Sequence, residues 1–161
     1  MLKKEVFEEW CILPAKSPSR LRLACSGIYI VFVYGTLKRG GSNHGRLADQ
    51  AYVGNARTDR GVTLYSLGVQ DGRGGAGGYP GLVYSSTDTA GVTGELWYVD
   101  NSTLLSLDEL EGVSEGLYTR ENATLVEWPE SLSAAEAAKA QLYRYLRPVD
   151  SATHLGSYWK V

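Results

Sequence analysis

From Gly27 onward the chain is dominated by short β-type runs, at 28–34, 51–58, 61–67, 81–86, 92–99, 117–128 and 140–146. Glycine and Asn/Asp turns separate them. Only two segments read as helical. One is short, around 43–49; the other, 102–111, follows Asp100 and Asn101, both suited to capping, and stops at Gly112. The Ala-rich SLSAAEAAKA (131–140) reads equally as a helical turn or as a surface loop after Pro129. Many strands with few helices, not regularly alternating, point to an α+β fold rather than a doubly wound sheet. There are no internal repeats.

Residues 1–26 read as an N-terminal extension, because Pro14, Ser17, Pro18 and Ser19 break the only helical pattern there. Residues 27–161 then form a single domain, and a chain of 161 residues can bury a real core. Hydrophobic residues make up 43% and charged residues 21%, ordinary values for a soluble protein. A net charge of −2 offers no basic face for nucleic acid. No apolar run approaches the roughly 20 residues needed to cross a bilayer. The first residues lack the apolar stretch of a signal peptide, so the expected location is the cytoplasm. Cys11 and Cys25 read as reduced thiols, and no His or Cys pair has metal-ligand spacing. Neither a metal nor a cofactor is expected.

Two nucleotide-binding patterns fail on their surroundings. Gly72 to Gly77 matches G-x-G-x-x-G, but Tyr79, Pro80 and a β-type run follow where a helix N-terminus is required. Residues 35–42 nearly match the phosphate-binding loop, yet Gly41 stands where its lysine belongs. The segment VYGTLKRGGSNHG (33–45) remains notable. A glycine straight after a buried strand lets the backbone approach closely, either to a ligand or to another part of the protein. Exposed N–H groups there suit a carboxylate or a developing oxyanion.

The helix adds a second signal. At about 100° per residue, Leu104, Leu105, Leu107 and Leu110 define its apolar face, and Glu111 falls roughly 20° from the centre of that face. Glu109 points the opposite way, and Asp108 sits near the edge. An inward carboxylate is costly unless it is hydrogen-bonded or lines a cavity, and desolvation makes it a better base. The other reading is a frayed helix end whose last side chain swings to water. No serine nucleophile stands in a suitable context, and neither His44 nor His154 has a carboxylate partner in sequence.

The segments FVYGTLKRG, YPG, GELWYVDNSTLLSLDELEG, LYTR and YLRPVD…GSYW occur in that order. Together they resemble the γ-glutamylcyclotransferase-like superfamily, most closely its γ-glutamylamine cyclotransferase and AIG2-like branch. The resemblance runs from Ile28 to Trp159. It implies a compact mixed β-barrel with short flanking helices, in which the Y-G-T-L loop and the L-D-x-x-E-G helix meet at one cavity. It implies Glu111 as catalytic acid/base, and Tyr34, Gly35, Thr36 and Leu37 as holding a γ-glutamyl group, mainly through backbone. Tyr118 takes the place of a pocket tyrosine. The implied partner is a small γ-glutamyl amine or amide, cyclised to 5-oxoproline with release of the amine. The rival expectations are a non-catalytic binding domain of the same fold and an amine or acyl transferase of a specialised pathway. The Gly-rich 71–78 loop and the 129–139 insertion fall where the pocket rim would be, so the leaving amine is not legible. Neither is the oligomeric state.

Overall fold

The computed structural model describes residues 27–68 and 78–161. The N-terminal extension, with Cys11 and Cys25, and residues 71–77 of the Gly-rich loop lie outside the described residues. The fold grows around β1 (Ile28–Val33), whose last four residues are all buried. A strand buried on both faces reads as a continuous apolar run, which is why IYIVFV shows no alternation. It pairs antiparallel with β5 (Thr93–Asp100), from Ile28 opposite Asp100 to Val33 opposite Glu95. On its other side it meets β8 (Gln141–Tyr145) in parallel, Val31 opposite Gln141.

Successive β1 side chains feed two different cores. Val31 and Val33 join Trp97, Val99, Leu104 and Leu107, beneath helix α1 (Asn101–Leu110). Ile30, Phe32 and Tyr34 join Leu64, Leu82 and Leu96. That second core fills the space between two sheets. The six-stranded sheet adds β2 (Ala51–Thr58), β6 (Tyr118–Asn122) and β7 (Leu125–Glu127), in the order β6-β8-β1-β5-β2-β7. The three-stranded sheet has β3 (Val62–Leu67) between β4 (Tyr79–Tyr84) and β9 (Thr153–Gly156). The whole is the expected α+β, barrel-like arrangement with few helices. Among the described residues, no helix is long and apolar enough to cross a membrane.

Several boundaries differ from the sequence expectation. The run 117–128 is two strands, because Ala123 leaves the β6–β8 ladder and Leu125 pairs instead with Thr58 of β2. β4 begins at Tyr79, two residues early, and puts Pro80 inside a strand opposite Ser66. β9 was not foreseen, since THLG has no apolar alternation. The segment near 43–49 closes only a 3-10 turn, His44–Leu47. The Ala-rich stretch forms a one-turn helix α2 (Ala134–Ala137) with a Ser133/Glu136 capping box. Leu105 is 55% exposed and does not belong to the apolar face.

α1 starts where a cap allows. The Asp100 carboxylate accepts the Thr103 N–H at 2.7 Å and the Ser102 hydroxyl at 2.8 Å. These hydrogen bonds outweigh its desolvation and hold Asp100 below the usual carboxylate range. The substitution Asp100→Ala should lower unfolding free energy by about 1 kcal/mol, read from urea denaturation at neutral pH.

Candidate active site

A cavity opens where β1 runs out. It holds about 210 Å³ and is lined by Tyr34, Gly35, Thr36, Leu37, Glu111 and Tyr118, along with Pro80 and Tyr143. All six residues singled out in the sequence therefore border one space, brought there by the end of β1, the end of α1 and the start of β6.

Beyond Val33 the backbone leaves the ladder and folds into tight turns. The Gly35 carbonyl accepts the Lys38 N–H at 3.1 Å, and the Thr36 carbonyl accepts the Asn43 N–H at 3.0 Å. The Asn43 side chain also donates to the Thr36 hydroxyl at 3.0 Å. Carbonyls are thus used within the loop, while the N–H groups of Gly35, Thr36 and Leu37 have no partner among the described residues. They are unsatisfied donors bordering the cavity. No Arg, Lys or His lines it among the described residues, so an anionic group there meets N–H dipoles rather than a cation.

The two glycines are required by the protein itself. A Cβ on Gly35 would fall 2.5 Å from Pro80 Cγ, and one on Gly41 would fall 2.2 Å from the Thr36 carbonyl oxygen. The close approach at Gly35 is therefore to β4. The two cations that follow point away from the cavity. Lys38 is 4% exposed, donates to the Trp159 carbonyl and lies over the Tyr158 ring. Arg39 binds the buried Glu95 carboxylate through its N–H and its Nε, both at 3.1 Å. Lys38 and Arg39 anchor the loop from behind.

The tyrosines build walls. The Tyr34 hydroxyl donates to the Tyr143 carbonyl at 2.7 Å and accepts the Leu82 N–H at 3.3 Å. The Tyr118 hydroxyl donates to the Pro80 carbonyl at 3.0 Å. Burial, with Glu111 nearby, pushes both phenols well above their ordinary range, so both stay neutral.

Glu111 is the C-cap of α1; its N–H still donates to the Leu107 carbonyl at 2.9 Å. Gly112 follows at a φ of 64°, the left-handed conformation that turns the chain out of the helix. The Glu111 side chain is half-buried against the cavity, and Glu109 is exposed. Among the described residues, no group donates a hydrogen bond to the Glu111 carboxyl. Burial pushes it up to about 7, with the Arg46 guanidinium holding it back. Such a carboxyl exchanges protons near neutral pH.

Sequence reasoning missed Asn43, Pro80, Tyr143 and the partners of Asp108. The Asp108 carboxylate binds Arg120 through Nε at 2.8 Å and Nη2 at 3.1 Å, and accepts the Tyr143 hydroxyl at 2.7 Å. The available signal was an acid near the edge of the apolar face of the helix, Asp108, and a base, Arg120, in the later segment LYTR. His154 does have a carboxylate neighbour, Asp88 at 3.5 Å, supplied by a distant loop. His44 packs on Trp97. Neither histidine borders the cavity.

Comparison with known proteins agrees with this architecture. The family described as "Gamma-glutamyl cyclotransferase, AIG2-like" matches residues 31–160. A putative γ-glutamylcyclotransferase of Vibrio cholerae is 41% identical over 85 residues, 53% of this chain and 64% of that protein. The γ-glutamylaminecyclotransferase of Homo sapiens is 40% identical over 93 residues, 56% of this chain and 58% of that protein. The chain thus spans less than two thirds of the length of these curated relatives. The crystal structure of an AIG2-like protein from Mus musculus superposes with a TM-score of 0.61 at 26% identity, covering 82% of this chain and 88% of that one.

The Gly35–Pro80 contact is testable. Gly35→Ala should destabilise the fold by about 1–3 kcal/mol through overpacking, and Pro80→Ala in the same chain should restore part of the loss. Additive effects of the two substitutions, measured by denaturant unfolding, would contradict the contact.

Proposed function

The chain belongs to the γ-glutamyl cyclotransferase, AIG2-like family, and on that premise we propose that it cyclises a γ-glutamyl amine, or a related γ-glutamyl amide, to 5-oxoproline. The observation that carries this reading is the Glu111 carboxyl, raised by burial to about 7, on the wall of a cavity also lined by residues 35–37, whose N–H groups have no partner among the described residues. A cavity of about 210 Å³ is smaller than the roughly 300 Å³ at which drug-sized pockets begin. It suits the γ-glutamyl portion, with the amine left towards the mouth.

The chemistry asks little of the protein. The substrate's α-amine attacks its own γ-carbonyl carbon, forming a C–N bond in a five-membered ring. The original amide C–N bond breaks, and the free amine leaves. Glu111, as the carboxylate, takes a proton from the attacking nitrogen and returns it to the departing one. The N–H groups of residues 35–37 hold the substrate and oppose charge on the carbonyl oxygen. Because the nucleophile is intramolecular, folding the substrate into the attacking conformation supplies much of the acceleration.

Turnover of γ-glutamyl-ε-lysine with detection of 5-oxoproline tests the reading directly. Glu111→Gln should reduce kcat by at least about 10²-fold while 5-oxoproline still binds, and Glu109→Gln should change little. A Glu111→Gln protein with the wild-type rate would sink the mechanism. Binding of 5-oxoproline without any turnover by the wild type would favour the non-catalytic domain instead. The active form is the carboxylate, so kcat should fall as pH drops through about 7.

The same carboxyl makes a prediction about stability. Its value rises from 4.5 to about 7 on folding, so the folded state binds the proton more tightly between those limits. The favourable contribution is fully present below pH 4.5 and is lost as pH rises through 7, by up to about 3 kcal/mol. Unfolding free energies of wild type and Glu111→Gln at pH 5 and pH 8 measure it. The wild type should lose stability relative to the variant at the higher pH.

A further inference from the structure

Glu111 sits at the end of a helix, where chains fray and side chains turn to water. The proposed reaction needs its carboxyl held at the cavity wall. Asp108 lies three residues earlier, a spacing that puts the two side chains on neighbouring parts of one helical face. Its carboxylate is the meeting point of three elements. Arg120 of β6 binds it at both oxygens, a fork geometry that resists rotation. Tyr143 of β8 donates to it, and Arg120 also donates through Nη1 to Gln141 of β8 at 2.6 Å. The Asp108 and Arg120 side chains are only 20% and 26% exposed, so solvent screens the pair less than a surface bridge.

The network also governs what Glu111 feels. Tyr143 is 2% exposed and borders the cavity, and the charge of Glu111 reaches it. Its proton is directed to Asp108. A hydroxyl turned instead to the Glu111 carboxylate would favour the charged form and weaken it as a base. The Tyr143 carbonyl meanwhile accepts the Tyr34 hydroxyl, so the same residue ties α1 to the first turn of the substrate loop.

We propose that Asp108, clamped by Arg120 and Tyr143, is the positioning residue of this site: it fixes the last turn of α1 so that the Glu111 carboxyl faces the cavity unbonded. Asp108 touches no substrate in this arrangement and acts through Glu111. The inference rests on the cyclotransferase reading for its kinetic consequence but not for its geometry.

The test uses the full chain as wild type, Asp108→Asn and Arg120→Lys. The last keeps every charge and removes the fork together with the Nη1 hydrogen bond to Gln141. Carbon-13 NMR of glutamate labelled at the side-chain carboxyl follows Glu111, assigned by its loss in Glu111→Gln. Kinetics use γ-glutamyl-ε-lysine. In Asp108→Asn the Glu111 midpoint should move down from about 7 towards the ordinary carboxylate range as the side chain reaches water. Its kcat should fall about tenfold or more while KM changes less than about threefold, and the pH profile should shift with the midpoint. Arg120→Lys should show the same pattern, smaller, and it decides the matter should Asp108→Asn not fold. Variants that lose only melting temperature, keeping the wild-type midpoint and the wild-type kcat, overturn the proposal. A midpoint that shifts as stated in a protein whose wild type makes no 5-oxoproline upholds the positioning role and overturns the cyclotransferase reading alone.

Discussion

Everything in this fold follows from burying β1 on both faces. A strand covered on each side must have apolar side chains throughout and neighbours on both edges, which β5 and β8 provide. Its side chains divide into two cores, one beneath α1 and one between the sheets. Such a strand cannot continue indefinitely. Where it ends, at Val33, the backbone leaves its ladder inside the protein, and its N–H groups need either a turn or a ligand. The loop satisfies the Gly35 and Thr36 carbonyls by turning and leaves the N–H groups of residues 35–37 at a cavity. The site is the place where the central strand stops.

The electrostatics are arranged around that end. The cations of the loop, Lys38 and Arg39, are withdrawn behind it, onto the Trp159 carbonyl and Glu95. Among the described residues, the cavity is thereby left with dipoles, neutral phenols and the Glu111 carboxyl. A guanidinium or ammonium against Glu111 would stabilise its charge and return it to the ordinary range; the distant influence of Arg46 does so only in part. The second carboxylate of the helix, Asp108, receives the strong partners instead. Two acids three residues apart thus have opposite environments, one clamped by Arg120 and Tyr143, the other desolvated and poised.

Much of the frame is legible in the chain because it rests on short-range patterns. IYIVFV must be buried whatever surrounds it, and Asp100 with Gly112 brackets a helix by capping chemistry alone. The inward direction of Glu111 follows from helical geometry without knowledge of any neighbour. Errors arise where a neighbour decides. Leu105 has the spacing of a core residue, but it is exposed. The run 117–128 is uniformly β-like, and it divides because β8 claims its first half and β2 its second. THLG becomes a strand only because β3 offers it an edge.

The sequence by itself determined the strand-rich class, the helix with its inward acid, and the pairing of Y-G-T-L with L-D-x-x-E-G that places the chain among its relatives. These are properties of periodicity, capping and residue order, and each motif is readable within a dozen positions. Only the tertiary structure decided why Gly35 has no side chain, which is the ring of Pro80 some 45 residues away. It alone decided that Asp108 meets Arg120 and Tyr143, and that no donor among the described residues reaches Glu111. Contacts between distant segments depend on how two sheets close around one strand, and no local pattern carries that distance.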